Sequence, residues 1–201
     1  MIEEPLRSAG IRHIAGVDEA GRGACAGPLV VAAVILPHQT ERELLDVRDS
    51  KELTPQKRQQ LFDRIISHAL TYSIITIAPD EIDKDGVHRA NLDGMRRAVM
   101  GLEISPDYVL TDGYAIEGLQ APSLAIWKGD QVALTISAAS ILAKVTRDRI
   151  MEDLDGIYPE YGFAGHKGYI TSAHSQALKT HGPSEIHRKS FANIAALLHT
   201  S

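Results

Sequence analysis

Residues 16–36 read GVDEAGRGACAGPLVVAAVIL, and the interpretation of this stretch decides the fold. Its second half, LVVAAVIL at residues 29–36, is almost pure hydrocarbon and rich in β-branched side chains, the composition of a fully buried strand. The first half breaks a β run with two adjacent carboxylates, Asp18 and Glu19, followed by Arg22 and a series of glycines. Such a break weakens a core, so it marks a site. Residues 11–17 form a short strand leading into it. The two strands are expected as a hairpin around the glycine-rich segment, with the acids at a strand end. Adjacent residues of a regular strand point to opposite faces, so Asp18 and Glu19 can share one site only if the chain turns or bulges there, which Gly21 and Gly23 make easy.

Working outward, residues 54–70 begin with Thr54 as an N-cap and Pro55 at the first helical position, then place Leu61, Ile65 and Ile66 at helical spacing. Residues 72–78 form a third strand that Pro79 ends. A second helix follows at residues 88–102, with Leu92, Met95, Val99 and Leu102 on one stripe, and a turn at residues 105–107 closes it. YVLTDG, residues 108–113, is a strand terminated by Asp112. PSLAIWKGD, residues 122–130, repeats the pattern and ends at Asp130. The longest helical segment covers residues 137–162. Two shorter helices, within residues 171–182 and 191–200, finish the chain. Strands come first, with helices interleaved and appended, so the class is α/β with a helical C-terminal part. One compact unit over residues 1–201 is expected, with a catalytic α/β core at about 11–155 and the helical part at about 156–201.

Composition narrows the function classes. Hydrophobic residues make up 44% and charged residues 23%, ordinary values for a soluble globular chain, and no run approaches a membrane span. The start, MIEEPLRSAG, has neither the basic opening nor the apolar middle of a signal peptide, so a cytoplasmic location is expected. The single cysteine, Cys25, excludes an internal disulfide framework and reads as small buried packing rather than a nucleophile. A net charge of −5 argues weakly against a polyanionic partner, because acids gathered in a metal site are cancelled by bound cations. Three basic clusters in the last third, AKVTRDR, GHKGY and IHRKSF, are either solvated faces or a nucleic-acid surface.

Three strands therefore end on carboxylates, at Asp18 with Glu19, at Asp112 and at Asp130. In an α/β sheet that edge is where ligands bind. Four acids brought together repel one another unless cations compensate. Oxygen-only ligation selects Mg²⁺ or Mn²⁺ over zinc. His166, His174, His181 and His187 lack a zinc-site spacing and read as surface or substrate-facing. Two hard ions about 4 Å apart would activate a water and stabilise the leaving oxygen in phosphodiester cleavage. GRGACA does satisfy the G-x-G-x-x-A pattern of dinucleotide-binding turns, but a strand follows it instead of a helix and the acids precede it, which excludes a nicotinamide or flavin site. What remains is bare backbone that can approach a ligand closely, with Arg22 as a forked donor to phosphate.

With GVDEAGRG, DSKEL, TDG, KGD, SAASILAKVTRDR, HKGY and HRKSF in this order, the sequence resembles bacterial ribonuclease HII, the type 2 ribonuclease H family, over nearly its whole length. The resemblance implies an RNase H-like fold, a mixed five-stranded sheet flanked by helices, with a C-terminal helical region that helps hold nucleic acid. It implies that Asp18, Glu19, Asp112 and Asp130 are the catalytic, metal-binding acids, with Asp18 bridging two divalent ions. It also implies that Gly21, Arg22 and Gly23 sense a ribose 2′-hydroxyl while Tyr169 stacks on the next, deoxy, sugar, so that an RNA–DNA junction is read. Glycine backbone can reach a 2′-hydroxyl unobstructed, and that group is the local mark separating RNA from DNA.

Lys51, Lys144 and Lys167 are candidate phosphate contacts, while Arg147 and Asp148 are spaced for internal pairing. Two departures from the family pattern, ACAGP in place of a bulkier PLAGP and Tyr114 where asparagine is common, bear on substrate preference. The implied activity is cleavage of the RNA strand of RNA–DNA hybrids and 5′ of ribonucleotides embedded in duplex DNA, with roles in ribonucleotide excision repair and replication. The competing readings are a four-carboxylate 3′–5′ exonuclease and a hybrid-binding module without turnover. The tail NIAALLHTS lacks the paired aromatics of a clamp-binding peptide, and a monomer is expected.

Overall fold

The computed structural model describes residues 1–38 and 54–198. Its five strands are β1 (Ile14–Ala20), β2 (Leu29–Ile35), β3 (Thr71–Ile77), β4 (Tyr108–Asp112) and β5 (Ser123–Ile126), in the order β3-β2-β1-β4-β5. β2 runs antiparallel to both β1 and β3, whereas β1, β4 and β5 are parallel. A short connection suffices for the β1–β2 hairpin, whereas the parallel partners require crossovers. The helices are α1 (Glu3–Ser8), α2 (Pro55–His68), α3 (Pro79–Asp85), α4 (Val87–Met100), α5 (Leu134–Ile157), α6 (Phe163–His166), α7 (Ser172–His181) and α8 (Ala192–Leu198).

β2 is buried along its whole length because both faces are covered, which is why it reads as unbroken hydrocarbon. Val30, Ala32 and Val34 pack with Leu61 and Ile65 of α2 and with Leu142 and Val145 of α5. Val31, Ala33 and Ile35 face the other way, onto Ile82 of α3 and Met95, Ala98 and Val99 of α4. Gly16 lets α5 lie directly on β1: a Cβ there would stand 2.0 Å from the Thr135 carbonyl carbon. The first turn of α5 is held by the buried Glu3, whose Oε1 accepts from Thr135 N–H at 2.9 Å and from its hydroxyl at 3.0 Å.

The elements follow the expectations with shifts at their ends. β1 starts three residues late, because Arg12 and His13 donate their backbone N–H groups to Asp107 and stay outside the ladder. It then runs through Ala20, so Asp18 and Glu19 lie within the strand. α5 begins at Leu134, ahead of its small-residue run. The short α1 and α3 carry too few residues for a visible apolar stripe, although Pro79 opens α3 as it should open a helix. Thr54 caps α2 as expected, accepting from Lys57 N–H. The C-terminal elements form their own cluster, in which Phe163, Leu178 and Ile194 close over Cys25, Ala26 and Met151.

Candidate active site

β1 and β4 pair in parallel with Val17 opposite Thr111, so the next residues, Asp18 and Asp112, stand level on neighbouring strands. Asp112 Oδ1 accepts from Gly129 N–H at 2.7 Å. That bond ties the end of β4 to the 3₁₀ turn Gly129–Gln131, which carries the buried Asp130. All four acids thus occupy one end of the sheet. The expected bulge is absent: the β1–β2 ladder pairs Asp18 with Ala32 and Glu19 with Val31 without interruption. Asp18 therefore faces α5, beside Ser140, and Glu19 faces α4, beside Asn91. The chain leaves the strand only at Gly21, where φ is +87°.

Burial pushes the Asp18 carboxyl well above the usual range, and the charges of Glu19 and Asp112 push it the same way. Glu19 is raised to about 7, mainly by burial and further by Asp112, against the opposing effect of Arg22. Its Oε2 is buried without a hydrogen-bond partner among the described residues. Asn91 favours the charged form of Glu19, yet its amide reaches no hydrogen bond of normal geometry. Buried, mutually repelling carboxylates with an orphaned oxygen suit a hard divalent cation. Among the described residues, no group of three or more Asp, Glu, His or Cys side chains is arranged to hold a metal ion as it stands.

Beside the acids lies an open cleft of about 360 Å³ lined by Glu19, Ala20, Gly21, Arg22, Gly23, Arg58, Ser140, Ile141, Lys144 and Tyr169. It brings together six residues singled out in the sequence. Arg22 stacks over the Tyr114 ring at 4.8 Å, and His88 meets the same ring edge-on, so Tyr114 supports the guanidinium at the cleft. Lys144 is paired with Asp148 at 2.6 Å and Lys167 with Glu152 at 2.6 Å, and Lys167 lies off the cleft lining. Lys51 falls outside the described residues.

Comparisons with known proteins agree with the fold. The Ribonuclease HII family model matches residues 15–194. The chain belongs to the ribonuclease HII family. A ribonuclease HII of Nocardioides sp. is 54% identical over 192 residues, covering 96% of this chain and 80% of the relative. One of Rhodococcus opacus is 53% identical over 198 residues, covering 98% and 88%. Among solved structures, ribonuclease H2 from Pyrococcus horikoshii OT3 superposes with a TM-score of 0.82 at 31% identity, covering 94% of this chain and 98% of that one. A Bst-RNase HIII solved in complex with Mn²⁺ shares the fold at 18% identity, with a TM-score of 0.66 and coverage of 94% and 70%. The chain is accordingly a metal-dependent endoribonuclease acting on RNA–DNA hybrids. No described helix is long and apolar enough to cross a membrane.

Several readings are corrected by the coordinates. In two of the three basic clusters the central arginine, Arg147 or Arg188, is buried and turns inward. Arg147 pairs with backbone rather than making an ion pair with Asp148: it donates to Pro28 O at 2.8 Å, Lys167 O at 2.9 Å and Ala26 O at 3.1 Å. Arg188 donates to Gly27 O and Arg22 O. Burial, with Arg147 nearby, lowers Arg188 to about 9. His174 and His187 are buried, not surface or substrate-facing. Cys25 is buried as expected, and burial pushes its thiol up, away from nucleophilic use. Ser140, Asn91 and Arg58 had no sequence signal, since a polar residue within an amphipathic helix reads as solvated.

Proposed function

We propose that this enzyme cuts at RNA–DNA junctions, including single ribonucleotides within duplex DNA, using two divalent ions held by Asp18, Glu19, Asp112 and Asp130, and leaves 5′-phosphate and 3′-hydroxyl ends. One observation carries the reading: a single cleft joins the acid Glu19 to the Gly21–Arg22–Gly23 backbone and to the half-exposed ring of Tyr169. Bound Mg²⁺ or Mn²⁺ supplies an activated water and neutralises charge on the leaving oxygen. The chain's own groups do the reading. Gly21 and Gly23 present main chain to the ribose 2′-hydroxyl, and a Cβ at Gly23 would already touch the Tyr169 ring at 4.0 Å. Tyr169 supplies the flat apolar face for the adjoining deoxyribose. Arg22, steadied by Tyr114, and Lys144 and Lys51 balance phosphate charge.

A labelled duplex carrying one ribonucleotide tests this. One cut on its 5′ side with Mg²⁺ or Mn²⁺, abolished by EDTA and unaffected by blocked ends, is the expected result. An uncut duplex in the presence of either ion overturns it, and cutting only from free ends favours the exonuclease.

A further inference from the structure

Behind Tyr169 runs a buried chain of polar groups that metal binding and phosphate cleavage leave unused. His174 is fully buried and His187 is 1% exposed, and their Nε2 atoms lie 3.0 Å apart. The ends of the chain fix its direction. His187 Nδ1 stands 2.9 Å from the Ser184 amide nitrogen, which can only donate, so the neutral His187 ring carries its proton on Nε2. That proton meets His174 Nε2, which must accept. His174 then carries its own proton on Nδ1, 3.0 Å from the Tyr169 carbonyl oxygen, which can only accept. A single tautomer of each ring satisfies every link. Burial holds both histidines below their ordinary range, His187 at about 4, which keeps both rings neutral as the chain requires.

The neighbours reinforce the same end point. His166 stacks flat on His174 at 4.3 Å, accepts from Gly168 N–H through Nδ1, and takes the Tyr169 N–H on its own carbonyl. Gly168 O accepts from Cys25 N–H at 3.0 Å. The Tyr169 N–H and carbonyl are thus both fastened within the protein, while the residue as a whole is 39% exposed.

We propose that His174 and His187 are positioning residues for substrate recognition: the Ser184 → His187 → His174 → Tyr169 hydrogen-bond chain fixes the backbone position from which the Tyr169 ring faces Gly23 across the cleft. The inference rests on Tyr169 being the sugar-stacking residue. It makes the C-terminal histidines a specificity element coupled to the glycine loop rather than a patch of surface.

The test compares Tyr169→Ala, His174→Gln, His187→Gln and the double variant His174→Gln/Tyr169→Ala on a duplex with one ribonucleotide, with kcat and KM measured separately. His174→Gln and His187→Gln are expected to lower kcat/KM about tenfold, as a misplaced binding group does. Adding His174→Gln to Tyr169→Ala should cost nothing further. Equal losses in both backgrounds, or no loss in the single variants, overturn the proposal. If the glutamine variants fail to fold, histidine ¹⁵N shifts of the wild-type enzyme decide: protons on His187 Nε2 and His174 Nδ1 support it, and the opposite tautomers overturn it. Full activity of Tyr169→Ala would instead remove the sugar-stacking reading, and this inference with it, whereas a defect confined to Tyr169→Ala removes only the inference.

Discussion

Asp18 sits where a carboxylate is least welcome, inside a central strand, buried, and within reach of the charges of Glu19 and Asp112. Function maintains that arrangement at the expense of stability in the metal-free protein. Asp18→Asn removes the repelling charge while keeping the shape, so it should abolish cleavage yet raise metal-free stability by about 0.5–2 kcal/mol, read by chemical denaturation in EDTA. Glu19 gives the pH dependence. Its carboxyl is raised from 4.5 to about 7, so the folded state holds a proton that the unfolded state releases. The resulting stabilisation is complete below the ordinary glutamate value and is lost as the pH climbs through about 7. Thermal melts in EDTA should therefore fall across that window, and saturating Mg²⁺ should flatten the fall by stabilising the ionised form. A melting temperature that rises over this range without metal would contradict the burial described for this pair.

At the scale of elements, the turn after β5 does two things. Gly129 N–H anchors Asp112, and a Cβ at Gly129 would collide with Ile136, so this turn sits close against α5. Ahead of it, Trp127 is 81% exposed and is followed by Lys128, whose φ of +55° belongs to a tight turn. Both directly precede the turn that carries Asp130, and an exposed aromatic beside a cation can meet the faces and phosphates of a nucleic acid. Trp127 is the only tryptophan in the chain, so intrinsic fluorescence reports on this turn alone. Titration with an RNA–DNA hybrid, using the Asp18→Asn enzyme to prevent turnover, should quench or shift the emission in a saturable, salt-sensitive way. An emission spectrum unchanged at saturation would place the duplex away from β5.

Across the whole molecule, the C-terminal elements serve to hold the glycine loop in place. Arg188, together with Arg147 of α5, donates to the backbone carbonyls of residues 22, 26, 27 and 28, and the Ala26–His187 bridge joins the C-terminal region to the loop directly. Arg147→Met keeps much of the side-chain volume but strands three carbonyls, each costing about 1–3 kcal/mol when buried unpaired. A loss of about 3–5 kcal/mol in urea unfolding is expected, with residual activity falling through disorder of the loop. A loss below about 1 kcal/mol would show that the carbonyls find other partners.

The sheet and most of the helices were legible in the sequence because each rests on local rules, the two-residue period of strands and the apolar stripes of α2 and α4, although only Asp112 stands at the last residue of its strand: Asp18 and Glu19 lie within β1 and Asp130 on the turn after β5. Motif order was enough to indicate the family. The direction of Arg147, Arg188, His174 and His187 was not legible, because a basic or imidazole side chain reads the same whether it meets water or a buried carbonyl. Nor could the sequence decide whether Asp18 and Glu19 meet through a bulge. The uninterrupted pairing with β2 leaves them on opposite faces, and their common ground is the charge of Asp112 on the next strand. Local composition therefore determined which elements form and which acids stand near one end of the sheet. Tertiary packing decided which of those groups are desolvated and where their hydrogen bonds end, because both depend on chain segments far apart in sequence.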